Sequence, residues 1–258
     1  MISLDTLLQK SKAVRTFPLF PLPEIDLDLT EIKHYNWECT NIKEWLDPVI
    51  DLSGFNYIYP INGITEGLNY WMWQEDNIWM YDGDYQWVRP TVKEQKMGTT
   101  YFTAPSSIDG NFRDIPNDHP VALDIAYVGS TKIKKINIRD NVQKVFFSLS
   151  KCFGLRNLRT GWYFSKTPDK KLELIIGSAK YYNYYAQAIA EHFINNYSID
   201  IVYNTLRPVQ EYVCEILNLT PSDVVWLATT TDPIYEKFKR GDVCRVCIAE
   251  EISATYNS

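Results

Sequence analysis

The segment 148–161, SLSKCFGLRNLRTG, places an amine among groups that bind anions. A lysine amine condenses with an aldehyde only when it is neutral, so Lys151 would need a buried or positively charged site. Arg159 follows in the same segment, and it could supply that charge and bind a phosphate in a bidentate manner. Ser148 and Ser150 add hydroxyl donors. The simpler alternative is that Lys151 is one of many surface lysines.

The segment DIAYVG carries an acid, Asp124, in an apolar run, with Tyr127 three residues later. A buried carboxylate is costly without a partner, which favours a functional role for Asp124. The alternative is an aspartate at a strand end that accepts backbone hydrogen bonds. A third segment, NGITEGLNYW, predicts a turn followed by a helix. The amides of Gly63, Ile64 and Thr65 would then form an anion site at the helix N-terminus, although Asn-Gly before a helix is common.

In chain order, these segments resemble those of the class I and II aminotransferases, which are fold-type I pyridoxal-phosphate enzymes. The resemblance implies that Lys151 binds pyridoxal 5'-phosphate as a Schiff base. It implies that Asp124 faces the nitrogen of the cofactor ring and that Tyr127 contacts its phenolic oxygen, so that all three act in catalysis. Around the phosphate it implies a set of cofactor-binding residues: Gly63, Ile64, Thr65, Ser148, Ser150 and Arg159. Thr160 departs from the aliphatic residue usual after the arginine.

Two further cofactor contacts follow from the resemblance. In YDGDYQWV, Tyr85 would stack on the cofactor ring, with Trp87 as the alternative, and either one could equally be an aromatic core residue. In FTAPSSIDGNF, Ser107 stands where an asparagine usually contacts the phenolic oxygen.

Near the C-terminus, CRVCIAEEI resembles the segment whose arginine binds the substrate α-carboxylate. Arg245 matches that position and would orient the substrate's α-proton towards Lys151. Alternatively, it is a surface residue or an ion-pair partner. The resemblance covers about residues 55–252 of a chain shorter than usual for the family. The short spacing from Gly110 to Asp124 indicates a lost helix and a more open site.

Strands that alternate with helices would have to position these residues. Apolar runs predict strands in NIWMYDGDYQWV, VALDIAYVG and KVFFSLSKCFG, and a helix opening at Thr65-Glu66. Such alternation predicts an α/β fold with the site beyond the carboxyl edge of the sheet. Helical spacing in YYAQAIAEHFINNY and TLRPVQEYVCEILN, with strands in DVVWLATT and DVCRVCIAEEI, indicates a C-terminal α+β unit.

The predicted architecture is therefore α/β, like the fold-type I pyridoxal-phosphate-dependent transferases. A large domain with a mixed, mostly parallel sheet and the cofactor site would span residues 50–170. A small α+β domain would combine 171–258 with an N-terminal part, 1–49. In that part the proline-broken run FPLFPLPEIDLDL predicts an extended arm.

The composition argues against several partners. With 258 residues and a formal net charge of -6, the chain has no long-range attraction for nucleic acid or an anionic membrane surface. The first residues contain no uninterrupted hydrophobic stretch, so we expect a cytoplasmic protein. Five scattered cysteines fit a reducing compartment. Cys244 and Cys247 form a C-x-x-C without a second ligand pair, so we predict a strand there and no metal site.

The leading functional prediction is an aminotransferase that moves an amino group between an amino acid and a 2-oxo acid. The resemblance also implies a homodimer with a shared active site. One alternative keeps the cofactor but changes the reaction to that of a decarboxylase, lyase, racemase or aldolase. The other is a non-catalytic scaffold that retains the fold.

Overall fold

A six-stranded sheet forms the centre of the computed structural model, which describes residues 3–25, 40–89 and 98–257. Its strands are β1 Tyr57–Ile61, β2 Ile78–Met80, β3 Thr99–Thr103, β4 Val121–Asp124, β5 Val142–Ser148 and β6 Gly161–Ser165. The spatial order is β1-β6-β5-β4-β3-β2. Strands β2 to β5 are parallel, and β6 is antiparallel to both of its neighbours, β5 and β1. Five strands therefore run in one direction, and their carboxyl ends share one edge.

Eight α-helices surround the strands within the described residues. They are α1 Leu4–Gln9, α2 Thr40–Leu46, α3 Ile64–Gln74, α4 Leu149–Cys152, α5 Lys170–Leu172, α6 Tyr184–Asn196, α7 Ile201–Leu217 and α8 Ala249–Tyr256. A π-helix spans Glu173–Ser178, and a 3-10 helix spans Pro233–Phe238. No helix in the described ranges is long and apolar enough to cross a membrane.

Helix α3 packs directly on the sheet because Gly67 has no side chain. A Cβ atom at Gly67 would lie 2.6 Å from the Ile61 side chain and 3.1 Å from the Phe146 ring. Around this contact the aromatic rings stack closely, with 5.0 Å between the ring centroids of Phe146 and Tyr163. This packing fixes the start of α3 beside the carboxyl edge of the sheet.

A second sheet has four strands. Its strands are β7 Thr220–Pro221, β8 Leu227–Thr230, β9 Lys239–Arg240 and β10 Val243–Cys247, antiparallel in the order β7-β8-β10-β9. One hydrophobic core joins the two sheets, since it contains Phe147 and Phe164 from the first and Trp226 and Val246 near or within the second. The division into 50–170 and 1–49 plus 171–258 stays a prediction.

The predicted fold class is confirmed, with differences in detail. Helix α3 begins at Ile64, one residue before the predicted position. Strand β5 ends at Ser148, so Lys151 lies on the short helix α4 and not on a strand. Of the predicted strand 77–88, only Ile78–Met80 forms a strand; the chain then turns, and Gly83 in this turn has a φ of +82°. The chain forms no helix between Gly110 and the start of β4.

Strands β1, β3 and β6 are absent from the sequence prediction, which therefore missed three of the six strands. The arm 17–29 is described only as far as residue 25, where it has no helix or strand, and the rest lies outside the described residues. Cys244 lies on β10 as predicted, and the described residues contain no cluster able to hold a metal ion. Cys39 lies outside the described residues.

Candidate active site

A cavity of about 270 Å³ opens at the carboxyl edge of the parallel strands. Its walls come from the ends of β3, β4 and β5, the start of α3, the β9–β10 hairpin and the N-terminal segment 12–14. All but one of the sequence-predicted site residues line it: Ile64, Thr65, Tyr85, Ser107, Asp124, Tyr127, Ser148, Ser150, Lys151, Arg159 and Arg245. The exception, Gly63, lies directly beside the Arg159 guanidinium.

Lys151 has the environment that a reactive amine requires. Its Nζ donates a 2.7 Å hydrogen bond to the carbonyl oxygen of Val14, and its own carbonyl accepts from the Trp226 indole. Burial, with a smaller contribution from three nearby arginines, lowers the pKa of Lys151 to about 8. A substantial fraction of the amine is therefore neutral near physiological pH.

Asp124 ends β4 with its carboxylate almost fully buried. Its Oδ1 accepts from the backbone amide of Ala126 at 2.8 Å, and its Oδ2 accepts from the Tyr101 hydroxyl at 2.7 Å. Burial raises the pKa of Asp124 to about 7, against the opposing effect of these two hydrogen bonds. Each carboxylate oxygen can still accept a further donor. A cationic group in the cavity would keep this acid ionised.

Gly63 and Arg159 together form a candidate anion site. Gly63 precedes α3 with a φ of +78°, and a Cβ atom there would lie 2.6 Å from a terminal nitrogen of Arg159. Arg159 itself has a left-handed φ of 54°. The guanidinium thus lies against the positive end of a helix dipole, and the first amides of α3 have no partner within the helix. An anion between them would relieve this repulsion.

The structure separates the two candidates for a stacking ring. Tyr85 lines the cavity, whereas the half-exposed Trp87 does not, and its indole donates to the Asn69 side chain at 2.9 Å. Ser107 also lines the cavity, but its hydroxyl donates to the buried Asp84 at 2.5 Å. Because that proton is already used, Ser107 offers only oxygen lone pairs to a ligand, unlike an asparagine amide.

Arg245 is neither a surface residue nor an ion-pair partner among the described residues. It is 3% exposed on β10, and its two terminal nitrogens donate to the carbonyl oxygens of Ser107 and Lys12, each at 2.7 Å. Its Nε is buried without a partner in the described part of the chain. These contacts fix the guanidinium at the cavity wall, where it retains capacity for an anion.

Comparison with known proteins rests on structure, because no model of a protein family and no curated protein sequence matches the chain. An aromatic aminotransferase from Pyrococcus horikoshii superposes with a TM-score of 0.66 and 11% identity, covering 99% of this chain and 97% of that one. A pyridoxal-phosphate-bound C-S lyase from Staphylococcus hominis superposes at 0.63 and 11%, covering 92% and 82%. The chain has the fold of the fold-type I pyridoxal-phosphate enzymes.

A third fold-type I structure comes from Methanococcus jannaschii, with a TM-score of 0.63, 16% identity and coverage of 98% and 92%; its active site is described as similar to that of kynurenine aminotransferases. The donor set of this chain fits the fold-type I cofactor. The Ser150 hydroxyl is buried, has no partner among the described residues and belongs to the wall of the cavity that Arg159 also lines. The buried Asp124 suits a cationic ring nitrogen.

Sequence reasoning missed five residues that line or support this fold-type I site: Lys12, Asp84, Tyr101, Arg156 and Arg240. The run TTYFT at 99–103 was a usable strand signal, because its β-branched and aromatic residues precede Pro105. Gly241 indicated a hairpin that turns Arg240 back towards β10. No local pattern in the sequence predicts that Lys12 contacts Arg245, which lies 233 positions away.

Proposed function

We propose that this chain is a pyridoxal-phosphate-dependent aminotransferase. The observation that carries the proposal is the Lys151 amine, whose pKa of about 8 leaves it partly neutral in a cavity that also presents Asp124. The aminotransferases among the structural relatives support the same reading.

Each cofactor group has candidate partners in the chain. Lys151 would attach the cofactor covalently, Asp124 would pair with the ring nitrogen and Tyr85 would stack on the ring. The phosphate would bind to Arg159 with the donors around it: Ile64, Thr65, Ser148 and Ser150. The Gly63 amide already donates to the carbonyl oxygen of Ile61 at 2.8 Å, so Gly63 would contribute only room for the phosphate. When bound, the cofactor supplies an electron sink for negative charge that develops at the substrate α-carbon.

The remaining steps belong to side chains of this protein. Arg245 would bind the α-carboxylate of the amino acid and so direct the Cα–H bond towards Lys151. The Lys151 amine would remove that proton and return it during transfer of the amino group. Burial raises the pKa of Tyr127, so its hydroxyl stays protonated and can donate to the phenolic oxygen.

The test is the visible absorbance band of a lysine-bound cofactor, followed by borohydride reduction and peptide mapping. We expect the band in the wild-type protein, its loss in Lys151→Ala and the reduced label on Lys151. Lys144→Ala is the matched control, because burial also lowers the pKa of Lys144, which lies on β5 away from the cavity. The absence of a band, or a label on another lysine, would overturn the proposal.

A lyase is the second candidate, because the Staphylococcus hominis C-S lyase superposes as well as most of the aminotransferases do. The two reactions differ in their products. Transamination leaves the aminated cofactor, which a 2-oxo acid converts back. A lyase acting on a thioether amino acid releases a thiol, ammonia and a 2-oxo acid while the lysine-bound cofactor is regenerated. The absorbance spectrum after one turnover separates them.

We also propose a homodimer, as in the family that the sequence resembles. Exposed apolar side chains support it, namely Trp73, Leu174 and Tyr181, which are 72%, 67% and 75% exposed. Light scattering should give twice the 30.1 kDa mass of the chain. A monomer at micromolar concentration would contradict this proposal.

A further inference from the structure

The cavity has more positive charge than the proposed reaction uses. Six basic side chains line it, Lys12, Lys151, Arg156, Arg159, Arg240 and Arg245, against a single acidic side chain, Asp124. The chain as a whole has a net charge of -6, so this concentration of cations is local. The proposed function assigns Lys151 to the cofactor aldehyde, Arg159 to its phosphate and Arg245 to the α-carboxylate. Arg240 is the most buried of the cations left over.

Arg240 and Arg245 lie on the same face of the small sheet. In the β9–β10 pair, Arg240 is opposite Val243, and Arg245 is two residues further along β10. Opposite residues of antiparallel strands point to one face, as do residues i and i+2, so both arginines project towards the cavity that they line. Diagonal neighbours of this kind have backbones roughly 7–8 Å apart. Two anions joined by a short carbon chain would fit this spacing.

The Arg240 guanidinium is held in place without being neutralised. One terminal nitrogen donates to the carbonyl oxygen of Gly83 at 3.2 Å, while Nε is buried and lacks a partner in the described part of the chain. None of the ion pairs among the described residues includes Arg240. Burial and the neighbouring charge of Arg245 lower the pKa of Arg240 to about 10. A bound anion would remove this electrostatic cost.

The turn that contains Gly83, whose carbonyl oxygen accepts from Arg240, has no room for a side chain at Gly83. A Cβ atom at Gly83 would lie 2.8 Å from the backbone nitrogen of Gly241 and 3.1 Å from the carbonyl carbon of Arg240. The turn after β2 and the β9–β10 hairpin therefore touch through their backbones. This contact places Arg240 next to the segment that carries Tyr85, the proposed stacking ring.

We propose that Arg240 forms a second anion-binding position, which selects substrates with an anionic side chain in addition to the α-carboxylate held by Arg245. That the substrate is an amino acid rests on the proposed function, whereas the anion-binding position at Arg240 does not. A side-chain carboxylate and a phosphate monoester share the required chemistry. The preference for either is an outcome of the test.

Calorimetry can measure the affinity of small molecules for the cofactor-free protein, and this tests the position without any turnover. Glutarate and valerate have the same chain length and differ in one carboxylate, and 4-phosphonobutyrate replaces that carboxylate by a phosphonate. We expect glutarate or the phosphonate to bind at least about tenfold more tightly than valerate, as one added charge-assisted hydrogen-bonded pair implies. Arg240→Met should abolish the difference, and Arg240→Lys should restore part of it.

Lys239→Met is the matched control, because Lys239 lies next to Arg240 on β9, is exposed and pairs with Glu236 at 3.1 Å. It should keep the full preference for the dianion, and thermal melting would verify that each variant folds. Equal affinity for valerate and both dianions, or a preference that survives in Arg240→Met, would overturn the inference. Cofactor loading is measured separately. A preference without a cofactor band would refute the proposed function alone and leave the anion position standing.

Discussion

The Tyr101 hydroxyl donates a 2.7 Å hydrogen bond to Oδ2 of Asp124, and both side chains are buried. Burial raises the pKa of Tyr101 well above its ordinary value, so the phenol remains a donor throughout the physiological range. The bond favours the ionised carboxylate, whereas burial favours the protonated acid. Tyr101 thereby helps to set the charge beneath the proposed cofactor ring.

Replacement of Tyr101 by Phe should shift the titration of Asp124. The variant loses a donor that lowers the pKa of Asp124, so that pKa should rise above about 7. The acidic limb of the kcat/KM profile should move to higher pH. Tyr163→Phe is the control, because Tyr163 is also buried but does not line the cavity. A profile that is identical in Tyr101→Phe and wild type would count against the assignment.

Asp124 should also make the stability of the cofactor-free protein depend on pH. Its pKa rises from 3.8 to about 7 on folding, so between these values the folded state holds a proton that the unfolded state has lost. The free energy of unfolding should therefore fall as pH rises from about 4 to 7, by at most roughly 4 kcal/mol. Urea denaturation of Asp124→Asn should show a loss of this slope, while the exposed Asp140→Asn should retain it.

Cofactor loading should follow the titration of Lys151. With a pKa of about 8, its neutral fraction, and with it the initial loading rate, rises roughly tenfold between pH 7 and pH 9. The charge of Arg156 contributes to this lowered pKa, so Arg156→Met should move the midpoint to higher pH. Arg139→Met, an exposed arginine away from the cavity, should leave it in place. Stopped-flow absorbance measures the initial loading rate of each variant as a function of pH. A loading rate independent of pH would refute the prediction.

Gly63→Ala should weaken binding of the cofactor phosphate. The added Cβ would lie 2.6 Å from Arg159, and a φ of +78° is strained for alanine by roughly 1–3 kcal/mol. We expect at least about tenfold weaker binding of the cofactor, together with a lower melting temperature. Gly54→Ala is the control, because no atom lies within 4 Å of its added Cβ and its φ is not positive. If both variants bind the cofactor equally well, Gly63 has no role in the anion site.

Local patterns predicted the parts of the site that lie within one segment. Lys151 and Arg159 belong to one segment of the sequence, and Asp124 with Tyr127 ends an apolar run, so spacing alone relates them. The fold class followed from alternating apolar runs, because β4 and the end of β5 are fully buried.

Contacts between distant segments could not be predicted in this way. Tyr101 reaches Asp124 only because β3 pairs with β4 in the register that places Thr103 opposite Asp124. That register depends on packing across the whole sheet, and β3 has only five residues. Arg240 depends in the same way on the close approach of Gly83 to the β9–β10 turn.

The hydrogen bond from Lys151 to Val14 joins residues 137 positions apart, and Lys10 pairs with Glu251 across 241 positions. The two residues of each pair are synthesised at very different times. The segment 12–14, which forms part of the cavity wall, is synthesised well before α8, which carries Glu251. Completion of the cavity is thus a late event in folding, after the C-terminal helix has emerged. Until the segment 12–14 is in place, we expect the Lys151 amine to be more open to solvent than in the folded chain.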